Sequence, residues 1–227
     1  ATLGSPVSRV AYAETPAGIA WTDGYTVNLL KGGVSRPVAP ATLNPEPTVT
    51  ATTGGLAAGQ YGVMCAAVLD GARSAWTHPV FVTVGDGGGL TVALPARALS
   101  VEVFVTSREG ETFYHEATIA PAQTSTTISA VYSDGASATY DVLAALPGGR
   151  ILGHHFGRLL SVTGAYLFHS LPWAFGLYRP AFDYIPAPED ITLVASTPGG
   201  LFVATAKATY WLGGSDLSAA SMTKVAP

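Results

Sequence analysis

Pro198-Gly199-Gly200-Leu201-Phe202-Val203-Ala204-Thr205-Ala206-Lys207-Ala208-Thr209-Tyr210-Trp211-Leu212 is the stretch that decides the fold. A glycine opens it, a short apolar run follows, a polar turn interrupts, and a second run carries the aromatics. That order is the signature of a β-hairpin rather than a helix, because the apolar residues come in short blocks and not at spacings of three and four. The same order recurs over residues 16–30 and 156–169. Asp23-Gly24 and Thr163-Gly164 supply the left-handed backbone positions that tight hairpin turns favour.

The spacing of the copies carries further information. Gly157 and Gly200 stand 43 residues apart, close to the ~40–50 of one propeller blade. Gly18 and Gly157 are 139 residues apart, one such step plus roughly 95 residues. An inserted module is therefore expected between the first two copies.

Residues 45–130 have the character of that module. Short strands are expected at 60–69, 75–84, 89–94, 100–107 and 112–119, with 124–128 as a candidate last strand. Asp70-Gly71, residues 85–89 and Glu109-Gly110 separate them as turns. Val101, Val103 and Val105 alternate with Glu102, Phe104 and Thr106, the pattern of a half-buried strand. Turns every 8–12 residues suggest an immunoglobulin-like or fibronectin-III-like β-sandwich. Pro37, Pro40, Pro45 and Pro47 form an expected linker into it, and the Ser/Thr-rich stretches 124–129 and 133–139 an expected linker out. The expected organisation is a discontinuous blade-like domain, 1–44 plus 131–227, and an inserted sandwich, 45–130. Only 142–146 and 216–222 suggest a helical turn, so the expected class is all-β.

Removing the insert leaves about 140 residues, enough for roughly three blades. Closed propellers take four to eight. Completion of a ring by other subunits, or an open arrangement with edges needing cover, is therefore expected.

Composition narrows the function. Charged residues are only 11% of the chain, hydrophobic ones 48%, with 26 Gly, 16 Pro and a net charge of −4. Nucleic-acid binding needs clustered Lys and Arg that displace counterions, and no basic run exists. The longest apolar runs fall short of the ~18 residues of a membrane span, so no membrane insertion is expected. Residues 1–6 lack a basic region followed by an apolar core, and no signal peptide is expected there. Cys65 lies among apolar neighbours and reads as a small buried hydrophobe.

Candidate chemistry is sparse. His154 and His155 are adjacent and point to opposite strand faces, which does not suit a shared metal ion. Asp183 with Glu189 or Asp190 is the one carboxylate pairing that a glycosidase reading could use. Neither a Gly-x-Ser-x-Gly elbow nor a phosphate loop is present. Neither a metal nor another cofactor is expected, and the chain is expected not to be an enzyme. Phe168, Trp173, Phe175, Tyr178, Phe182 and Tyr184 cluster within seventeen residues. Such rings either fill gaps between blades and at subunit interfaces or, with Trp173, Tyr178 and Tyr184 foremost, stack on sugars.

The segment from Gly164 to Gly213, through Tyr166-Leu167-Phe168-His169-Ser170, Phe175-Gly176-Leu177-Tyr178-Arg179-Pro180, Asp183-Tyr184-Ile185-Pro186 and Thr209-Tyr210-Trp211-Leu212-Gly213, resembles propeller-like structural proteins of tailed bacteriophages. The insert resembles immunoglobulin-like modules of phage virions. The resemblance implies a virion component of the neck, nozzle, tail or tail tip, assembled in the host cytoplasm and acting through assembly without catalysis. Its implied partners are other tail or neck proteins and further copies of itself, as a ring or trimer. A carbohydrate- or receptor-binding module that takes a host-surface glycan is the alternative. Full propeller nozzles are much longer than this chain.

Overall fold

A computed structural model describes residues 10–226, and apart from one short 3-10 turn every regular element in them is a β-strand. Residues 1–6, read above for a signal, lie outside the described residues. The chain divides into two units, Ala1–Ala39 with Leu143–Pro227 and Pro40–Val142.

The first unit contains three antiparallel meanders of four strands each. The first runs Ala11–Thr15, Gly18–Thr22, Val27–Lys31, Val34–Pro37. The second runs Ile151–His155, Arg158–Thr163, Tyr166–His169 and, after a loop, Tyr184–Pro186. The third runs Ile191–Thr197, Gly200–Thr205, Thr209–Gly213, Thr223–Ala226. The three hairpins legible in the sequence are the central strand pairs of these meanders. Each first strand turns into the second through two residues, closed by the pairs Thr15–Gly18, His155–Arg158 and Thr197–Gly200.

Gly18, Arg158 and Gly200 are therefore equivalent, and the sequence spacing taken at Gly157 is displaced by one. The reason is local. In the second meander the turn itself needs positive φ, at Phe156 (42°) and Gly157 (74°). In the other two, Thr15 and Thr197 donate their hydroxyls to the carbonyls of Gly18 and Gly200. A Cβ at Gly18 would stand 2.7 Å from the Leu30 carbonyl oxygen, and one at Gly200 would meet the Leu212 carbonyl oxygen. In the first and third meanders the third strand thus approaches a glycine that no larger residue can replace without a shift.

The meanders pack in series. Ala13, Ala20, Val27 and Leu29 of the first share an apolar core with Leu152, Leu159 and Phe175 of the second. From the opposite face of the second, Leu160, Val162, Leu167 and Ile185 share another core with Ile191, Leu201, Val203 and Leu212 of the third. The first strands lie side by side in the same order, Ala11–Thr15 beside Ile151–His155 beside Ile191–Thr197. The strand Arg158–Thr163 is consequently buried on both sides, every residue but Thr163.

In the second unit two antiparallel sheets face each other across one core. One contains Ser137–Thr139, Thr112–Ile119, Ser100–Thr106, Gly59–Leu69 and Ala72–Arg73, with Val80–Val84 also on Gly59–Leu69; the other contains Ser125–Ile128, Gly88–Ala93 and Thr48–Leu56. Val63, Cys65, Val101, Val103 and Ile119 of the first sheet meet Val49, Leu90, Val92 and Ile128 of the second.

Several expectations are corrected. Residues 48–56, where no strand is expected from the sequence, form the edge strand Thr48–Leu56. Residues 75–84 do not make one strand: regular pairing begins at Val80, and before it the hydroxyls of Ser74 and Thr77 accept from the Ala67 and Cys65 amides. Those hydroxyls replace a neighbouring strand's carbonyls. The strand Ser100–Thr106 is buried on both faces, because Phe104 enters a second cluster with Met64, Phe113 and Trp76. The second unit extends to Val142 instead of ending at 130, since Ser137–Thr139 pairs with Thr112–Ile119 and Tyr140 packs on that second cluster. It starts at Pro40 rather than 45, and Leu43 rests on the main core. Within 142–146, Ala144–Ala145 pairs as a strand with Leu177–Tyr178, while within 216–222 Leu217–Ala219 makes a 3-10 turn capped by Asp216.

Gly200→Ala is expected to cost about 3 kcal/mol, as backbone strain adds to a forced shift of a sheet carbonyl. Gly24→Ala, whose Cβ meets nothing within 4 Å, costs about 1 kcal/mol of strain alone. Urea unfolding of the two variants measures the difference, and equal losses would contradict the close approach.

Candidate functional site

The richest concentration of buried polar and clustered aromatic side chains lies in and around the second meander. Between Tyr166–His169 and Tyr184–Pro186 the chain makes a loop instead of a tight turn. The Trp173 amide donates to the Gly157 carbonyl oxygen at 2.7 Å and pins the loop's tip back on the meander. The indole then lies over Gly157, where a Cβ would stand 2.7 Å from the ring. Gly157 is thus required twice, by its turn and by the ring above it.

This geometry sorts five of the six aromatics singled out from the sequence, the sixth, Phe168, being a ring that Tyr178 packs against. Phe175 is buried and meets His154 edge-on at 5.7 Å. Tyr178 is half-buried and meets Phe168 at 5.7 Å, and Tyr184 meets Tyr166 at 6.1 Å. Trp173 and Phe182 are 70% and 64% exposed. Trp173 touches Phe175 edge-on at 6.4 Å, while Phe182 lies beneath the Arg179 guanidinium at 5.7 Å. The five do not make one continuous platform. Phe175 and Tyr178 join the core, and Trp173 and Phe182 present open rings.

A buried polar network lies behind the same loop. The Asp183 carboxylate is fully buried and receives Arg179 three ways: its backbone amide at 2.7 Å, Nε at 3.1 Å and Nη2 at 2.7 Å. His169, also fully buried, has Nδ1 4.0 Å from Asp183 Oδ1. Arg158 Nη1 donates to His169 Nδ1 at 3.3 Å and to the Ser170 carbonyl at 2.9 Å, and its Nη2 stands 3.7 Å from Asp216. An arginine that donates to Nδ1 selects the neutral ring with its proton on Nε2. Burial holds the His169 pKa below 6.5, opposed by Asp183 and reinforced by Arg158. For Asp183, burial raises the pKa, but the Arg179 hydrogen bonds and charge outweigh it and hold the carboxyl below 3.8.

Ser170, His169 and Asp183 are the residue types of an acyl-transfer triad, but their bonds differ from one. The Ser170 hydroxyl donates to the Leu171 carbonyl and accepts from the Leu159 amide, and Arg158 occupies the histidine nitrogen. What this arrangement does is fix the loop against the strands and the second meander against the third. His155 adds to that junction through Ser196 Oγ at 2.8 Å and the Gly214 carbonyl at 3.1 Å.

Other candidates separate in space. His154 and His155 face opposite sides, one toward Phe175 and the other toward Ser196. Asp183 pairs with Arg179, Glu189 with Lys207 and Asp190 with Arg150, so the three carboxylates serve different partners. Cys65 is buried, and burial pushes its thiol up to about 12. Among the described residues, no three His, Cys, Asp or Glu side chains converge on a metal position, and no helix is long and apolar enough to cross a membrane. In the second unit a cleft of about 640 Å³ opens between Gln60, Phe81, Glu109, Phe113 and Tyr140, where Glu109 accepts from the Gln60 amide at 2.8 Å.

Sequence reasoning missed Arg158, Arg179 and Ser170. One signal was available: Arg179 and Asp183 bracket Pro180-Ala181-Phe182, a turn that an aspartate four residues on can close. The approach of Arg158 to His169 had none, since it depends on strand pairing.

No family model, no curated protein and no solved structure matches this chain.

The network has a pH signature. A ring held neutral in the fold takes up a proton only after unfolding once the pH falls below about 6.5, so stability present above that value is lost as the pH drops toward the folded pKa. His154, whose pKa burial and His155 also lower, acts in the same sense. Asp183 adds a further loss below 3.8. Urea unfolding at pH 7.5, 6.5 and 5.5 should show falling midpoints, with a shallower fall in His169→Gln. An unchanged slope in that variant would contradict a neutral buried His169.

Proposed function

We propose that this chain is a non-catalytic structural component of a tailed-phage virion, in the tail, tail tip or neck, and that it works by assembly. In this reading the meanders are propeller-like blades and the second unit is an immunoglobulin-like insert. The single observation that carries it is the serial, face-to-face stacking of three like meanders with their first strands side by side, the way blades pack around a common axis. The two-sheet unit with one shared core supports the insert reading. The low charge fits a protein whose surface meets neighbours, and in the Ser170, His169 and Asp183 cluster the serine hydroxyl and the aspartate carboxylate are taken up by structural bonds. The test is fractionation: in a lysate of phage-producing cells, mass spectrometry should find the chain banding with density-purified particles at a fixed ratio to the capsid protein. Recovery only from particle-free fractions would sink the proposal.

A second reading, binding of a host-surface glycan, is favoured by the exposure of Trp173 and Phe182. Aromatic rings open to solvent are suited to stacking on sugar faces. Glycan-array binding by the wild-type chain, lost in Phe182→Ala with the circular dichroism unchanged, is the expected result on this reading. An array without any bound glycan would dismiss it.

A further inference from the structure

We infer that a second copy of this chain packs head to tail on the first, third meander to first meander, and that two copies close a six-meander ring; the inference rests on the blade reading above. The argument begins with alternation. In each meander, side chains of the second strand point alternately to the two faces of the sheet. Counted from the equivalent residues Gly18, Arg158 and Gly200, the rows can be compared directly.

Ala20 in the first meander and Leu160 and Val162 in the second belong to one row, and each packs toward the following meander. Leu159 in the second and Leu201 and Val203 in the third belong to the other row, and each packs toward the preceding meander. Every internal contact therefore joins a forward row to a backward row, without exception in either core. Two rows are left over. The backward row of the first meander contains Ile19 and Trp21, and the forward row of the third contains Phe202 and Ala204.

Both leftover faces have the character of a buried one. On the first meander, Tyr12 pairs across strands with Trp21, and Ile19 with Leu30. Tyr12, Ile19 and Leu30 are 72%, 42% and 37% exposed. On the third, Phe202 lies 4.6 Å from Trp211, and Leu193 pairs with Ala204 beside them. Leu193 and Phe202 are 52% and 37% exposed. Between them these rows present a single charge, Glu14. Exposed apolar faces of this extent mark an interaction surface.

Their polarity selects the occupant. One face is a forward row and the other a backward row, so a second copy can repeat the contact already made twice inside the chain. Such a contact is heterologous, and heterologous contacts form either a closed ring or an open filament. Closed rings of blades run from about four to eight. With three meanders among the described residues of each chain, two copies give six, and no other number of copies falls in that range.

The test uses the 227-residue chain and sedimentation equilibrium. Wild type should have twice the 23.2 kDa chain mass. Trp21→Glu blocks the backward face and Phe202→Glu the forward face, and each alone should be monomeric, with dissociation constants raised about 30-fold or more, as for an interface hot spot. Mixed together, the two variants retain one good face each and should form a one-to-one dimer. Circular dichroism and thermal melting establish that both remain folded; Ile19→Glu and Leu193→Glu replace any variant that does not.

A monomeric wild type at several hundred micromolar would overturn the inference. So would a Phe202→Glu chain that stays dimeric, which would mean like face on like face, or a wild type that grows into open polymers. Particle association is measured separately, so a monomer that bands with virions would remove the ring and leave the structural assignment standing.

Discussion

A β-sheet with two apolar faces has to be covered twice, and the second meander is such a sheet. Leu159 faces the first meander while Leu160 and Val162 face the third, so a strand of six residues belongs to two cores. Everything else in the first unit follows from that double coverage. The meanders on either side are positioned by it, and each can satisfy only one of its own faces within the chain. At about 25 cal/mol per Å² of apolar surface, two-sided burial makes the central meander the principal source of cohesion in that unit.

Two-sided burial leaves little room for polar groups, yet His155, Arg158, Ser161, His169, Ser170 and Asp183 are all buried there. They are tolerated because most of their polar atoms have partners, and the exception is His169 Nε2. Apolar contacts between sheets allow sliding, whereas the bonds from His155 to Ser196 and Gly214 hold at one register only. A buried charge pair stabilises little beyond what an apolar pair would, but the loss of one member leaves the other without compensation. The Arg179–Asp183 pair belongs to this class: it holds the aromatic loop in one conformation, and with it the exposure of Trp173 and Phe182.

The second unit solves a different problem. Its long central strand, Gly59–Leu69, is flanked on part of one side by residues that are not a strand. Ser74 and Thr77 continue the hydrogen bonding there, their amides donating to the Ala67 and Cys65 carbonyls while their hydroxyls accept from the Ala67 and Cys65 amides. Phe104, with Trp76 at 5.1 Å and the Arg73 guanidinium at 5.4 Å, covers the outer face of the same sheet. The unit therefore has a core of its own and a second, smaller cluster outside it.

The all-β class was legible in the sequence, as were the three hairpins and the presence of an insert, because hydrophobic period, glycine and turn chemistry are local properties. The strand Thr112–Ile119 could be read to the residue for the same reason. Residues 74–79 could not, since Ser74 and Thr77 there act through side-chain bonds to the amides of Gly59–Leu69, which no alternation of apolar residues reports. The aromatics between Trp173 and Tyr184 were visible as a group, but their division into core and open rings was not. Burial depends on which sheet arrives opposite, and no local pattern states that. The meeting of Arg158, His169 and Asp183 was likewise set by strand register and by a loop pinned to Gly157. The amino-acid order alone determined which segments become strands and where the chain turns. Only the tertiary structure decided which faces meet and which remain open, because face-to-face packing is a property of pairs of sheets and each segment encodes only its own alternation.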